Sequence, residues 1–200
     1  MKTKTIKKNS GFTLVEVLFA VLILTFTVTG LMTIVANSLF SARYAKDEIT
    51  ANYLLQEVVD YIRNDRDTTV FLGSGSDLWN TFVEKYSNCS FDKGGCSFDV
   101  LKMLQSNSTA LINSCGGGCK PLFYDDSNSE DNTKNTPFYV NDDGSGNIGK
   151  VKTNFIRKIV VTKSASNTNE MDVTVTVSWK NGSLDVSRSL SASFMNWRSQ

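Results

Sequence analysis

Few side chains in this 200-residue chain could do chemistry, and their placement narrows what that chemistry is. One carboxylate, Glu16, stands directly before a run from Val17 to Ala36 that holds no Asp, Glu, Lys or Arg. Four cysteines follow much later, Cys89, Cys96, Cys115 and Cys119. The chain has no histidine. That removes the commonest general base and the commonest metal ligand, and with them triad and histidine–metal chemistry. No nucleophile motif or phosphate loop takes their place, so the chain reads as a non-enzyme without a cofactor. Asn141-Asp142-Asp143-Gly144-Ser145-Gly146-Asn147 gathers oxygen ligands but departs from the D-x-D-x-D-G calcium loop and lacks its closing Glu. A plain Asp/Gly turn is expected there, with no metal.

The cysteines all lie beyond the apolar run, and an even count in an oxidising compartment reads as disulfides. Zinc is the competing reading, but C-x6-C followed by C-x3-C does not match the paired short spacings of zinc sites. Cys115-Gly116-Gly117-Gly118-Cys119 is also not the C-x-x-C of a redox enzyme. Four cysteines allow three connectivities. Local closure, Cys89–Cys96 and Cys115–Cys119, is preferred because the Gly-rich loops can bend each pair together.

The elements that must position these groups begin with a membrane anchor. About 20 apolar or small residues at ~1.5 Å rise cross the ~30 Å hydrocarbon layer. Thr25, Thr27, Thr29 and Thr33 fit such a helix, because a hydroxyl can bond a carbonyl of the preceding turn. Gly30 is tolerated in lipid, where small residues let helices approach. Lys2, Lys4, Lys7 and Lys8, with no acidic residue among them, hold the N-terminus on the cytoplasmic side, so the remainder should be exported. Glu16 at the edge of that helix costs roughly a few kcal/mol unless it snorkels to the interface or has a partner. A cleaved signal peptide fits poorly: its apolar core is roughly 7–15 residues, and Ala42-Arg43-Tyr44-Ala45 is a weak cleavage site.

Lys7-Lys8-Asn9-Ser10-Gly11, then Phe12-Thr13-Leu14-Val15-Glu16-Val17-Leu18, resembles the processing site of type IV prepilins and type II secretion pseudopilins. The resemblance implies a membrane-embedded prepilin peptidase cutting between Gly11 and Phe12, N-methylation of Phe12, and Glu16 as the fifth residue of the mature chain. It also implies other pilins or pseudopilins and an inner-membrane assembly platform as partners. A new amine at Phe12 would pair with Glu16 of a neighbouring subunit, setting axial register more than adding stability. The organisation expected is a leader at 1–11, a transmembrane and filament-core helix at 12–36, an amphipathic half at 37–64 and a head at 65–200. The head ends in Phe155 and Arg157 on one strand, a V-x-V-x-V-x-W strand and Trp197, which is similar to minor pilins and I- or V-type pseudopilins. The membrane half lacks the proline carried by many major pilins, so a minor subunit of a pilus or pseudopilus is the leading reading. A major pilin, or a membrane-tethered ectodomain of another class, is the alternative. Without residues 1–11 the chain keeps 17 basic and 20 acidic side chains, since four of its 21 cationic residues lie in the leader. That balance gives no support for nucleic-acid binding.

The fold class expected is α+β: a long helix against a C-terminal antiparallel sheet of three or four strands. No proline interrupts 12–64, so one helix of ~53 residues, ~80 Å long, is predicted. Ala51, Leu54, Leu55, Val58 and Ile62 share its core-facing stripe, while Ala42, Ala45, Ile49 and Tyr53 lie on another side. A loop-rich crossover over 64–88 should hold a short helix from Asp77 or Ser76, with Trp79, Phe82 and Tyr86 in the core rather than lining a groove. Short elements are expected at Val100–Ser106 (helix) and Pro137–Val140 (strand), with a polar surface loop at 125–136. Two strands then follow, Phe155–Thr162 and the alternating Val173 to Trp179. Asn181-Gly182 reads as a hairpin loop, pairing Trp179 with Leu184, Val177 with Val186, Val175 with Arg188 and Val173 with Leu190.

Overall fold

A computed structural model describes residues 11, 13–73, 77–106, 111–125, 138–141, 150–164 and 167–197. Its contacts divide the chain into two units, Met1–Asp47 and Glu48–Gln200. The helix α1 (Leu14–Asp67) contributes to both.

In the first unit every described residue from Gly11 to Arg43 is exposed. The most apolar 18-residue stretch has a mean hydropathy of 2.4 and none of it is buried. Length and composition thus suffice to cross a membrane. The threonines behave as a lipid-facing helix requires. Thr25 and Thr27 donate to the carbonyls of Leu22 and Leu24 at 2.8 Å, and Thr33 to Thr29 at 3.1 Å. Each of the four threonine hydroxyls thus bonds a carbonyl of the preceding turn.

In the second unit the predicted stripe is the core. Ala51, Leu54, Leu55, Val58 and Ile62 are all buried, joined by Val59 and Tyr61, whereas Ile49 and Tyr53 are exposed. The helix outlasts its expected end at 64 by one turn, to Asp67, and then loosens into a π-helical turn, Thr68–Leu72. Helix α2 (Leu78–Lys85) follows Asp77, which bonds the Asn80 side chain at 2.6 Å instead of capping backbone. Its Trp79 and Phe82, with Tyr86 just beyond, are buried and stack in sequence with centroids 5.5 Å apart. The short α3 (Val100–Ser106) forms over the residues expected for it. Of the loop predicted at 125–136 only Asp125 is described, and of the Asp/Gly turn only Asn141.

The sheet is antiparallel throughout its strand pairs. Three long strands carry it, β5 (Lys150–Lys163), β6 (Glu170–Asn181) and β7 (Leu184–Met195), after four short ones. These are β1 (Cys96–Ser97), β2 (Asn113–Ser114), β3 (Pro121–Asp125) and β4 (Phe138–Val140). β5 pairs β6 on one side, and β6 pairs β7; on its other side β5 pairs β1 and β3, which pair β2 and β4. Several strands are thus present, and the short ones take the number beyond three or four. Pro121 sits at an irregularity between β3 and β5, where a missing N–H is tolerated. Val173, Val175, Val177 and Trp179 of β6 are buried with α1, α2 and Phe194 in one cluster.

The hairpin register differs from the expected one by two residues. Trp179 faces Val186, Val177 faces Arg188, Val175 faces Leu190 and Val173 faces Ala192. The loop is Gly182-Ser183, not Asn181-Gly182, because Gly182 takes the first loop position with φ 63°. A left-handed φ is free for glycine and strained for asparagine, although asparagine tolerates it better than most. Asn181 instead closes β6. A two-residue slip leaves each side chain on its face, so the apolar alternation survives the change.

Candidate functional site

At the start of α1 the described residues of the motif are Gly11, Thr13 and Glu16; Phe12 lies outside them. Gly11 is exposed, and a Cβ built on it would meet nothing within 4 Å. Nothing in the described structure therefore requires glycine there. Thr13 caps the helix: its Oγ1 accepts the Glu16 N–H at 3.3 Å. Thr13-x-x-Glu16 is the sequence pattern of a capping box, a local signal that the apolar run masks on a first reading. The carboxylate also favours the positive end of the helix dipole. Among the described residues no side chain pairs with the Glu16 carboxylate. Among the described residues Glu16 stands exposed, an acid at the head of a bare apolar rod.

The cysteines are far from this motif in sequence. Cys89 is bonded to Cys96 and Cys115 to Cys119, with Cα separations of 4.4 and 4.6 Å. The two loops are also tied together. Cys96 pairs Ser114 across β1 and β2, the Cys115 N–H reaches the Gly95 carbonyl at 2.8 Å, and Ser114 Oγ donates to the Lys93 carbonyl at 2.9 Å. Gly94 and Gly95 have φ 78° and 80°, and at Gly95 a Cβ would lie 2.7 Å from the Ile159 carbonyl oxygen. Glycine is required at both.

Two buried polar ties, absent from the sequence reading, hold the second unit. Arg157 has no exposure. It donates to Glu57 at 2.6 Å and to the Phe98 carbonyl at 2.9 Å, so it joins β5 to α1 and to the segment after the first disulfide. Near the end of α1, Asp65 accepts from Lys85 at 2.6 Å and from the Tyr86 hydroxyl at 2.7 Å. Burial first, and then the Asp65 carboxylate, push the Tyr86 phenol far above its ordinary value, and the same two causes raise Tyr61.

The sign follows from linkage. The folded phenols keep their protons after unfolded tyrosines ionise, so their contribution is complete below pH ~10 and declines above it. Tyr86→Phe should cost about 1.5–3 kcal/mol at neutral pH, the range for a hydrogen bond to a charged group. Its melting temperature should then fall less steeply than the parent's above pH ~10. Thermal unfolding as a function of pH checks both halves; parallel alkaline slopes would remove Tyr86 from this role.

The family model described as the prokaryotic N-terminal methylation motif matches residues 6–32, which contain Gly11, Phe12, Thr13 and Glu16. No curated protein and no solved structure matches the chain. The match covers the start of the chain and leaves the second unit to its own geometry. It supports a type IV pilin-like chain with a prepilin signal, for which the motif implies processing by a prepilin peptidase and assembly with other pilins.

Proposed function

We propose that the chain is a structural subunit, a minor pilin or pseudopilin, cut between Gly11 and Phe12, methylated on Phe12 and assembled through α1 into a type IV pilus or type II secretion pseudopilus. The N-terminus stays cytoplasmic before cutting, the second unit is exported, and the assembly platform of the inner membrane receives the mature chain. The observation that carries this reading is the bare apolar helix. From Leu14 to Phe40 its large side chains are 47–77% exposed. Lipid can cover them before assembly and neighbouring helices afterwards, so the same surface serves both states.

Gly11 supports the cut. The described structure has no use for a glycine at that position, so its identity answers to something outside the folded chain, as a protease subsite would. Gly11→Val should leave folding and membrane insertion intact and leave residues 1–11 attached. Mass spectrometry of the membrane-extracted protein reads the result: methylated Phe12 at the N-terminus of the parent and an intact leader in the variant. A parent chain that retains the leader in cells possessing the peptidase ends this reading.

A further inference from the structure

The end of α1 opens onto a cleft of about 480 Å³ bounded by Arg66, Asp67, Thr68, Phe71 and Trp197. Ligand clefts commonly fall between about 300 and 1,000 Å³. Two of its walls are aromatic and wet: Phe71 is 63% and Trp197 44% exposed. Their ring centroids are 5.7 Å apart with planes inclined by 35°. Exposure is not the habit of tryptophan in this chain, since Trp79 and Trp179 are 6% and 3% exposed.

The backbone holds Phe71 outward. It lies on the π-helical turn Thr68–Leu72, which buries Val70 to 1% and turns the next side chain to solvent. Such turns are rare and recur at functional sites. Gly73 ends the turn, and any Cβ there would strike the Thr69 carbonyl oxygen, so the geometry depends on glycine. The polar rim is an ion pair: Arg66 Nε donates to Asp67 Oδ1 at 2.8 Å, and Nη2 stands 2.7 Å from the same oxygen. Among the described residues, Asp67 Oδ2 and Arg66 Nη1 make no further hydrogen bond. The rim thus keeps one acceptor and one donor on a pair that carries no net charge.

We propose that this cleft binds a neutral pyranose unit of a polysaccharide. The C–H face of a pyranose is apolar and covers an aromatic ring, while adjacent ring hydroxyls both donate and accept. Donor and acceptor of the Arg66–Asp67 pair match two such hydroxyls. An anionic ligand would meet the Asp67 carboxylate and a cationic one the Arg66 guanidinium, so the neutral pair selects a neutral ligand. This inference does not rest on the chain being a pilus subunit.

The test is calorimetric titration of the full chain with glucose and N-acetylglucosamine oligosaccharides, in a detergent without a sugar headgroup, because alkyl glycosides would compete. Saturable binding is expected, weakened at least tenfold by Trp197→Ala and by Phe71→Ala. Both side chains are solvent-exposed, so melting temperatures should stay at the parent value and separate lost binding from lost fold. If no oligosaccharide saturates the parent at tens of millimolar, the inference is wrong. It is equally wrong if both variants bind as the parent does. Loss of subunit assembly in the variants without any sugar binding by the parent would make the cleft a protein contact and overturn it too.

Discussion

Glu16→Leu will insert in the membrane as the parent does and will be missing from assembled filaments. The substitution removes a charge that has no side-chain partner among the described residues and lengthens an already sufficient apolar span, so insertion cannot suffer. Assembly should, for a specific reason. Cutting after Gly11 would leave a positive amine on Phe12, and such an amine packed among apolar helices is heavily penalised unless a carboxylate meets it. Glu16 lies four residues along, and in the proposed filament it would meet that amine on an adjacent subunit. The pair contributes little net stability once desolvation is counted, but a missing partner costs about 3–5 kcal/mol, more than a hundredfold in incorporation. The Thr13 cap supplies the control. Losing an N-cap costs about 1 kcal/mol, so Thr13→Ala should lower incorporation far less than Glu16→Leu. Immunoblots of membranes and sheared filaments measure both. Filaments carrying Glu16→Leu at parental levels would remove the carboxylate from assembly.

Arg157→Ala will destabilise the second unit by about 3–5 kcal/mol, the range for breaking a buried ion pair from one side. Three losses combine: the large side chain leaves a void in a core where Arg157 has no exposure, the Phe98 carbonyl loses its donor, and Glu57 loses its cation. Glu57 is one-third exposed and can turn partly to water, which holds the cost within that range. The Arg157 Nε already lacks a partner, so the tie is imperfectly satisfied even in the parent. A double variant, Arg157→Met with Glu57→Leu, removes both charges at similar volume and should recover most of the loss. Urea unfolding of the full chain in detergent, followed by the fluorescence of the buried tryptophans, distinguishes the two. An Arg157→Ala midpoint equal to the parent's would mean the tie carries no stability.

What the sequence determined by itself was local. A lysine-rich start, an acid and a charge-free run mark a helix long and apolar enough to cross a membrane, because that capacity depends on composition over ~20 residues. The stripe from Ala51 to Ile62 and the alternation from Val173 to Trp179 were legible because burial imposes a period on each element alone. Hairpin β6–β7 was legible as well, yet its register turned on whether Gly182 took the first or second loop position. Only the positive φ of the assembled turn decided that. The Thr13 cap was there to be read and was hidden by the stronger membrane signal. The tie from Arg157 to Glu57 spans 100 residues, that from Arg188 to Glu48 spans 140, and Trp197 meets Phe71 from the far end of the chain. No periodicity reports such pairs. They form because packing the sheet on α1 brings distant parts of the chain together, and at Arg157, which has no exposure, a charge drawn into that interior must find an opposite one.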